Sequence, residues 1–308
     1  MGTPAFAVPS LDILLRNGYD VVAVITAPDK PAGRGRKLAV SEVKEYAISK
    51  GLRVYQPVNL KDPDFLSEVA SLKADLQVVV AFRMLPEALW KMPPLGTFNL
   101  HASLLPRYRG AAPINRAVMN GETETGVTTF FLKQEIDTGN IIHQHKTAIG
   151  REETAGELHD RLMLTGAELV LRTVRDIERG KVQTRSQDEL LMRGEAITAA
   201  PKIFREDTRL DFSKGVQDLY NQVRGLSPYP GAFFETDVKG HEPLSIKVYR
   251  CHPLFESGSV PGKLFTDNQS YLRIGAIDGY LDLLEVQIPG KKRMSVAELL
   301  RGFHFPVE

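Results

Sequence analysis

The runs Leu76-Gln77-Val78-Val79-Val80-Ala81-Phe82 and Thr97-Phe98-Asn99-Leu100-His101 decide how the chain folds. Each is strand-sized and mostly apolar, rich in β-branched or aromatic residues. Helical signals lie around them. Asp62-Pro63 opens a helix through about Leu72, and Pro113 starts another that Gly121 closes. Upstream, Pro9 sits in a first helical turn and Gly18 ends that helix, before the short strand Val21–Thr26. Downstream, Val127–Leu132 and Asn140–His145 read as further strands, with a hairpin around Asp137-Thr138-Gly139. Thr154-x-x-Glu157 is a capping box. It leads a long helix with Leu158, Leu162, Thr165, Leu169 and Ile177 near one face. Strands alternating with helices, the strands apolar on both faces, mean an α/β domain with a mostly parallel sheet covered on both sides.

The pattern changes after Gly180. Residues 1–182 form the α/β domain, residues 183–203 are polar and aperiodic and read as a linker, and residues 204–308 form a second domain. That second domain opens with a helix at about Val216–Arg224. Short strands follow at Gly231–Phe234, Leu244–Tyr249, Leu272–Ile274 and Tyr280–Val286, the spacing of a small β-barrel. Trp90, Tyr229, Phe233 and Phe234 are expected in the core. The start is unusual: Met1-Gly2-Thr3-Pro4 is a turn into a helix, where a doubly wound sheet needs a preceding strand. A missing first strand would expose its neighbours, so the natural chain is expected to begin several residues upstream.

Composition narrows the function classes. The chain has 308 residues, 43% hydrophobic and 25% charged, with Lys+Arg 39 against Asp+Glu 38. A formal net charge of +1 excludes binding nucleic acid by bulk charge, but leaves local basic patches able to do so. The single cysteine, Cys251, excludes an internal disulfide framework and a cysteine zinc cluster, and fits a reducing cytoplasm. No apolar run reaches bilayer-spanning length, and no secretion signal opens the chain.

Alternation along Thr97–His101 puts Asn99 and His101 on one face, at the carboxyl end of a parallel strand. An amide and an imidazole converging there can donate to one oxygen. A strand end turning to solvent explains the same pair. Asp137 is either a turn residue or, if its loop folds over His101, the carboxylate that orients the imidazole. Pro28–Leu38 carries Lys30, Arg34, Arg36 and Lys37 against Asp29 alone, with Gly33 and Gly35 between. It reads as a solvated loop or as a clamp on a phosphate backbone, and it lacks the Walker spelling. Lys291-Lys292-Arg293 is a second basic cluster. His143 and His145 share a strand face with no third ligand in sight, so no metal is expected.

One block goes further: Asn99-Leu-His101-Ala-Ser-Leu-Leu-Pro106-Arg-Tyr-Arg-Gly-Ala-Ala-Pro113-Ile. It resembles the signature of the folate-dependent formyltransferases. Met1-Gly-Thr-Pro, Pro28-Asp-Lys-Pro-Ala-Gly-Arg-Gly, Glu124-Thr-Gly-Val-Thr, Asp137-Thr-Gly, the Arg209-Leu-Asp211-Phe region, Pro228-Tyr-Pro-Gly-Ala and Gly290-Lys-Lys-Arg-Met294 agree, so the resemblance spans essentially the whole chain. It implies a Rossmann-like formyltransferase domain followed by a barrel resembling an OB fold. It implies 10-formyltetrahydrofolate as donor, initiator Met-tRNA as acceptor, no metal, and a cytoplasmic monomer with no membrane partner.

By the same resemblance the catalytic groups are Asn99, His101 and Asp137. The folate segment is Ser103, Leu104, Leu105 and Pro106, and the pterin loop is Phe82, Arg83, Met84 and Leu85 through Pro86. That loop is one residue shorter than the family's common form. The tRNA groups are Lys30, Arg34, Arg36 and Lys37, with Arg34 foremost, and Lys291, Lys292 and Arg293. Sibling enzymes that formylate an amino sugar nucleotide or glycinamide ribonucleotide, or that hydrolyse the folate, share the Asn/His/Asp core. The basic loop favours tRNA over them. A non-catalytic RNA-binding module is the remaining alternative, and the intact triad disfavours it.

Overall fold

Prolines and capping side chains set where the helices of the first unit begin. In the computed structural model, which describes residues 1–32, 37–194, 196–236 and 243–305, helix α1 is Val8–Arg16, with Pro9 in its first turn. Ser41 caps α2 (Glu42–Ser49) by accepting the Lys44 amide. Asp62 accepts the Asp64 and Phe65 amides at 2.9 and 3.1 Å and starts α3 (Pro63–Ser71). A short α4 covers Glu87–Trp90.

The strands between them are β1 (Val24–Ile25), β2 (Lys30–Ala32), β3 (Lys37–Ala39), β4 (Val54–Tyr55), β5 (Gln77–Val80), β6 (Thr97–His101), β7 (Glu124–Phe131) and β8 (Ile141–Ala148). β1 pairs parallel with β4, and β5 parallel with β6. Met1-Gly2 lies between the two pairs. The Gly2 amide donates to the Ile25 carbonyl at 3.1 Å, and the Met1 carbonyl accepts from Val80 at 2.9 Å. This pair of residues occupies the place in the sheet where the sequence calls for a first strand. Only glycine fits at position 2, because a Cβ would lie 2.6 Å from the Ala7 Cβ and 2.8 Å from the Val80 carbonyl oxygen. Beyond β6 the sheet turns antiparallel, in the order β5-β6-β7-β8. The parallel character therefore belongs to one half of the sheet, and the expected hairpin of β7 and β8 supplies the other.

The chain continues through α5 (Pro113–Met119), α6 (Ala155–Glu178) and α7 (Gln187–Met192). Thr154 and Glu157 form the expected capping box at the start of α6. The hydroxyl accepts the Glu157 amide at 3.3 Å and the carboxylate accepts the Thr154 amide at 2.8 Å. Leu162, Leu169 and Ile177 of α6 are buried, as its apolar face predicts. α7 lies inside the segment read as a polar, aperiodic linker, and its Gln187 is buried.

Two compact units emerge: residues 1–111, 124–148 and 159–200 form one, and residues 112–123, 149–158 and 201–308 the other. The second therefore takes in α5 and the start of α6, which the sequence assigned to a first domain of 1–182. It is built on α8 (Val216–Leu226) and the strands β9 (Ala232–Thr236), β10 (Leu244–Leu254), β11 (Leu264–Thr266), β12 (Leu272–Gly275), β13 (Tyr280–Gln287) and β14 (Met294–Ser295), closed by α9 (Val296–Leu300). The antiparallel path β11-β12-β13-β10-β9, with β14 on β13 and irregular register in β10 between Val248 and Cys251, makes an open partial barrel over a core including Leu219, Phe234, Ile246 and Leu281. Phe233 and Phe234 are buried as expected. Tyr229 is not: it sits on a turn between Pro228 and Pro230 and is 82% exposed. Among the described residues no helix is long and apolar enough to cross a membrane.

Candidate active site

β6 ends in His101, and its pairing with the antiparallel β7 sets what surrounds that side chain. Asn99 lies opposite Phe130, and His101 opposite Thr128. The alternate residues Phe98 and Leu100 fill the core, which leaves Asn99 and His101 on the other face. The Asn99 side-chain oxygen is buried with no hydrogen-bond partner among the described residues. Buried polar atoms are normally paired, so this oxygen is an acceptor that the fold leaves unsatisfied.

His101 is hydrogen-bonded at one nitrogen and faces a carboxylate with the other. Nε2 lies 2.8 Å from the carbonyl oxygen of Tyr108, which can only accept, so Nε2 carries a proton. Nδ1 is then the atom that gains or loses the second proton, and it lies 3.8 Å from Oδ2 of Asp137. Both side chains are largely buried. Asp137 sits on the tip joining β7 to β8, in the left-handed region at φ 55°. Its Oδ2 accepts the Gly110 amide at 2.9 Å. The loop brings the Asp137 carboxylate to face the imidazole.

The Ser103–Pro106 segment is knitted into the sheet. Ser103 is fully buried and its hydroxyl donates to the Arg107 carbonyl at 2.6 Å. Thr128 donates to the Ser103 carbonyl at 2.6 Å and accepts from the Leu105 amide at 3.2 Å. Gln144 donates to the Leu105 carbonyl at 2.9 Å. Leu105 is core, Leu104 is half-buried, and the Leu105–Pro106 peptide is cis. Ser103 and Leu105 thus shape the site through the backbone, their side chains being occupied. In the Phe82–Pro86 loop, Phe82 and Leu85 pack toward the core with Leu89, and Met84 is 69% exposed. Arg83 donates to the carbonyls of Val58 and Pro57, while its Nε is buried without a partner among the described residues.

The basic loop is an antiparallel ribbon, with Lys30 opposite Ala39 and Ala32 opposite Lys37. Its base is pinned: Asp29 takes an ion pair from Lys44 and a hydrogen bond at 2.8 Å from Gln56, which hold its carboxyl below the usual range. Lys30 is exposed. Arg34 and Arg36 lie outside the described residues, as does the side chain of Lys37. In the second unit Lys291 and Lys292 are exposed, whereas Arg293 is engaged by Glu285 and lies 4.7 Å from the centre of the Tyr249 ring. His143 pairs with Asp176 at 2.9 Å, and burial lowers its pKa. Among the described residues no group of three or more His, Cys, Asp and Glu is placed to hold a metal ion.

The sequence reading missed the groups that hold His101 and Asp137, namely the Tyr108 carbonyl, the Gly110 amide and Gln187, and missed Thr128, which holds the Ser103–Leu105 segment. The first two are backbone and carry no side-chain signal. For Gln187 a hint exists, since Ser186-Gln187-Asp188-Glu189 has the spelling of a capping box. Ser186 is indeed the residue before α7, although its side chain makes no capping bond.

The Rossmann-like sheet thus carries an amide and an imidazole at one strand end, with a loop carboxylate facing the imidazole, and a partial barrel follows later in the chain. Residues 1–174 match the formyl transferase family and residues 202–304 match its C-terminal domain, and the chain belongs to that family. Its relatives are more particular. It is 52% identical over 305 residues to the methionyl-tRNA formyltransferase of Bacteroides fragilis, covering 99% of this chain and 94% of the relative. It is 51% identical over 308 residues to that of Flavobacterium johnsoniae, covering 100% and 96%. Among solved structures it resembles the N-formyltransferase from Helicobacter canadensis, in complex with folinic acid and dTDP-3-aminofucose, with TM-score 0.65, 22% identity, and 92% and 96% coverage.

Proposed function

We propose that this chain transfers the formyl group of 10-formyltetrahydrofolate to the free amine of initiator Met-tRNA. The observation that carries the chemistry is that Asn99, whose amide oxygen has no partner among the described residues, shares a strand face with His101, whose Nδ1 faces Asp137. The choice of acceptor rests on relatives at about half identity over nearly the full chain, each bearing the methionyl-tRNA name.

The Met-tRNA amine attacks the formyl carbon, forming a C–N bond and placing negative charge on the former carbonyl oxygen. Asn99 turns its amide so that the NH₂ donates to that oxygen. His101 is the second donor and the proton carrier: the Nδ1 proton passes to the departing N10, and Nδ1 is reprotonated by the attacking nitrogen. The attacking nitrogen must lose a proton and the departing N10 of the folate must gain one as the C–N10 bond breaks. Nδ1 is the exchangeable site, because Nε2–H is committed to the Tyr108 carbonyl. Asp137 stabilises the imidazolium, and the Gly110 amide fixes the carboxylate that does so. The segments 82–86 and 103–106 flank the folate through their backbones. The basic segment of Lys30, Arg34, Arg36 and Lys37 engages the tRNA backbone, with Lys291, Lys292 and Arg293 as further contacts. The enzyme works as a cytoplasmic monomer.

The test is an acceptor panel with labelled 10-formyltetrahydrofolate: charged initiator tRNA, charged elongator Met-tRNA, an amino sugar nucleotide and glycinamide ribonucleotide. Product on the initiator tRNA above all others is expected. Preference for a sugar nucleotide or glycinamide ribonucleotide, or formate release alone, overturns the proposal.

A further inference from the structure

We propose that Gln187 is a positioning residue for the transfer reaction, holding Asp137 in the geometry that faces His101. It lies in the stretch between the two family matches, which end at 174 and resume at 202. The inference rests on the reading of Asp137 given above.

Gln187 is 1% exposed, a polar side chain at the start of a six-residue helix in an otherwise open segment. Every arm of its amide is used. Nε2 donates to the Asp137 carbonyl at 2.9 Å and to the Gly139 carbonyl at 2.8 Å. Oε1 accepts from Arg109 at both Nε, 3.0 Å, and Nη2, 2.7 Å. The next residue, Gly110, supplies the amide that binds the Asp137 carboxylate. One side chain therefore ties together the backbone of Asp137 and the loop that grips its carboxylate.

The segment around Gln187 is anchored on both sides. Arg185 exchanges two backbone hydrogen bonds with Ile141, at 2.8 and 2.9 Å, on the strand leaving the Asp137 tip. Ala200 donates to the Arg109 carbonyl at 2.7 Å. Asp137 needs such support. A non-glycine residue at φ 55° persists only where its surroundings determine it, and the two carbonyls that Gln187 binds flank this bend. Without the amide donors, the tip is free to relax and carry the carboxylate away from Nδ1.

The decisive experiment is a double-mutant cycle in kcat at saturating substrates, using the full chain and the variants Gln187→Met, Asp137→Asn and both together. Gln187→Met should lower kcat at least about tenfold in the wild-type background, leave both KM values within about twofold, and change kcat by less than about twofold in the Asp137→Asn background. If Gln187→Met melts below the assay temperature, Gln187→Glu replaces it. That variant keeps an oxygen for Arg109 and loses the donors to both carbonyls, so the same pattern is expected. An equal loss in both backgrounds, or undiminished kcat in Gln187→Met, overturns the positioning role while leaving Asp137 its own. Full turnover by Asp137→Asn overturns the reading of Asp137 and this inference together.

Discussion

Asn99 is one of the residues whose polar groups the fold leaves unsatisfied. Its amide oxygen is buried and unpartnered among the described residues, and its strand neighbours Phe98 and Leu100 are locked in the core. Asn99→Ala should therefore lower turnover by about 10²–10³, the usual loss for one oxyanion donor, with little change in melting temperature. Stopped-flow transfer rates and a thermal melt check both halves. Thr128 is the opposite case. Its hydroxyl serves the Ser103 carbonyl, the Leu105 amide and Gln144. Thr128→Val strands buried polar groups and should cost about 1–3 kcal/mol in urea denaturation. Strand alternation put Asn99 and His101 on one face and a turn spelling drew attention to Asp137, but only the family resemblance gave the three a role. The contacts that convert those letters into a site were not legible. Gly110 and Tyr108 act through backbone atoms, and Gln187 acts from 50 positions beyond Asp137.

Among the elements, the β2–β3 ribbon and the start of α6 each make a distinct prediction. The ribbon's base is pinned by Asp29, which pairs with Lys44 and Gln56. Arg34→Ala should raise the KM for tRNA and shallow its dependence on salt by about one counterion in the log–log slope, without changing folate KM. Titrations from low to moderate salt read this directly. At α6, Glu157 is held below its ordinary pKa chiefly by the Thr154 amide and hydroxyl. A carboxylate with a lowered folded-state pKa adds stability above its ordinary value, and that stability is lost as pH falls through the folded value. Thr154→Ala should cost about 0.5–2 kcal/mol at neutral pH and progressively less under acid, measured by denaturant titration across pH. The capping box was plain from Thr154-x-x-Glu157. α7 was not, because its six residues are too short for a periodic apolar face.

Across the whole molecule, composition and element alternation indicated two α/β and β-rich parts, and the family match covers both. What the chain order concealed is that residues 112–123 and 149–158 fold with the second unit. Their anchors are long-range polar contacts: Asn115 donates to the Gly225 carbonyl at 2.8 Å, and the buried Arg224 donates to the Glu153 carbonyl at 3.1 Å. No local pattern announces such pairings. The central claim, that an imidazole relays a proton between two substrate nitrogens while a carboxylate steadies its charge, is tested most directly by single-turnover formyl transfer with both substrates prebound. His101→Ala and Asp137→Asn should each slow product formation by about 10²–10⁴ while binding 10-formyltetrahydrofolate and Met-tRNA as the wild type does. Product formation at the wild-type rate in either variant would contradict it.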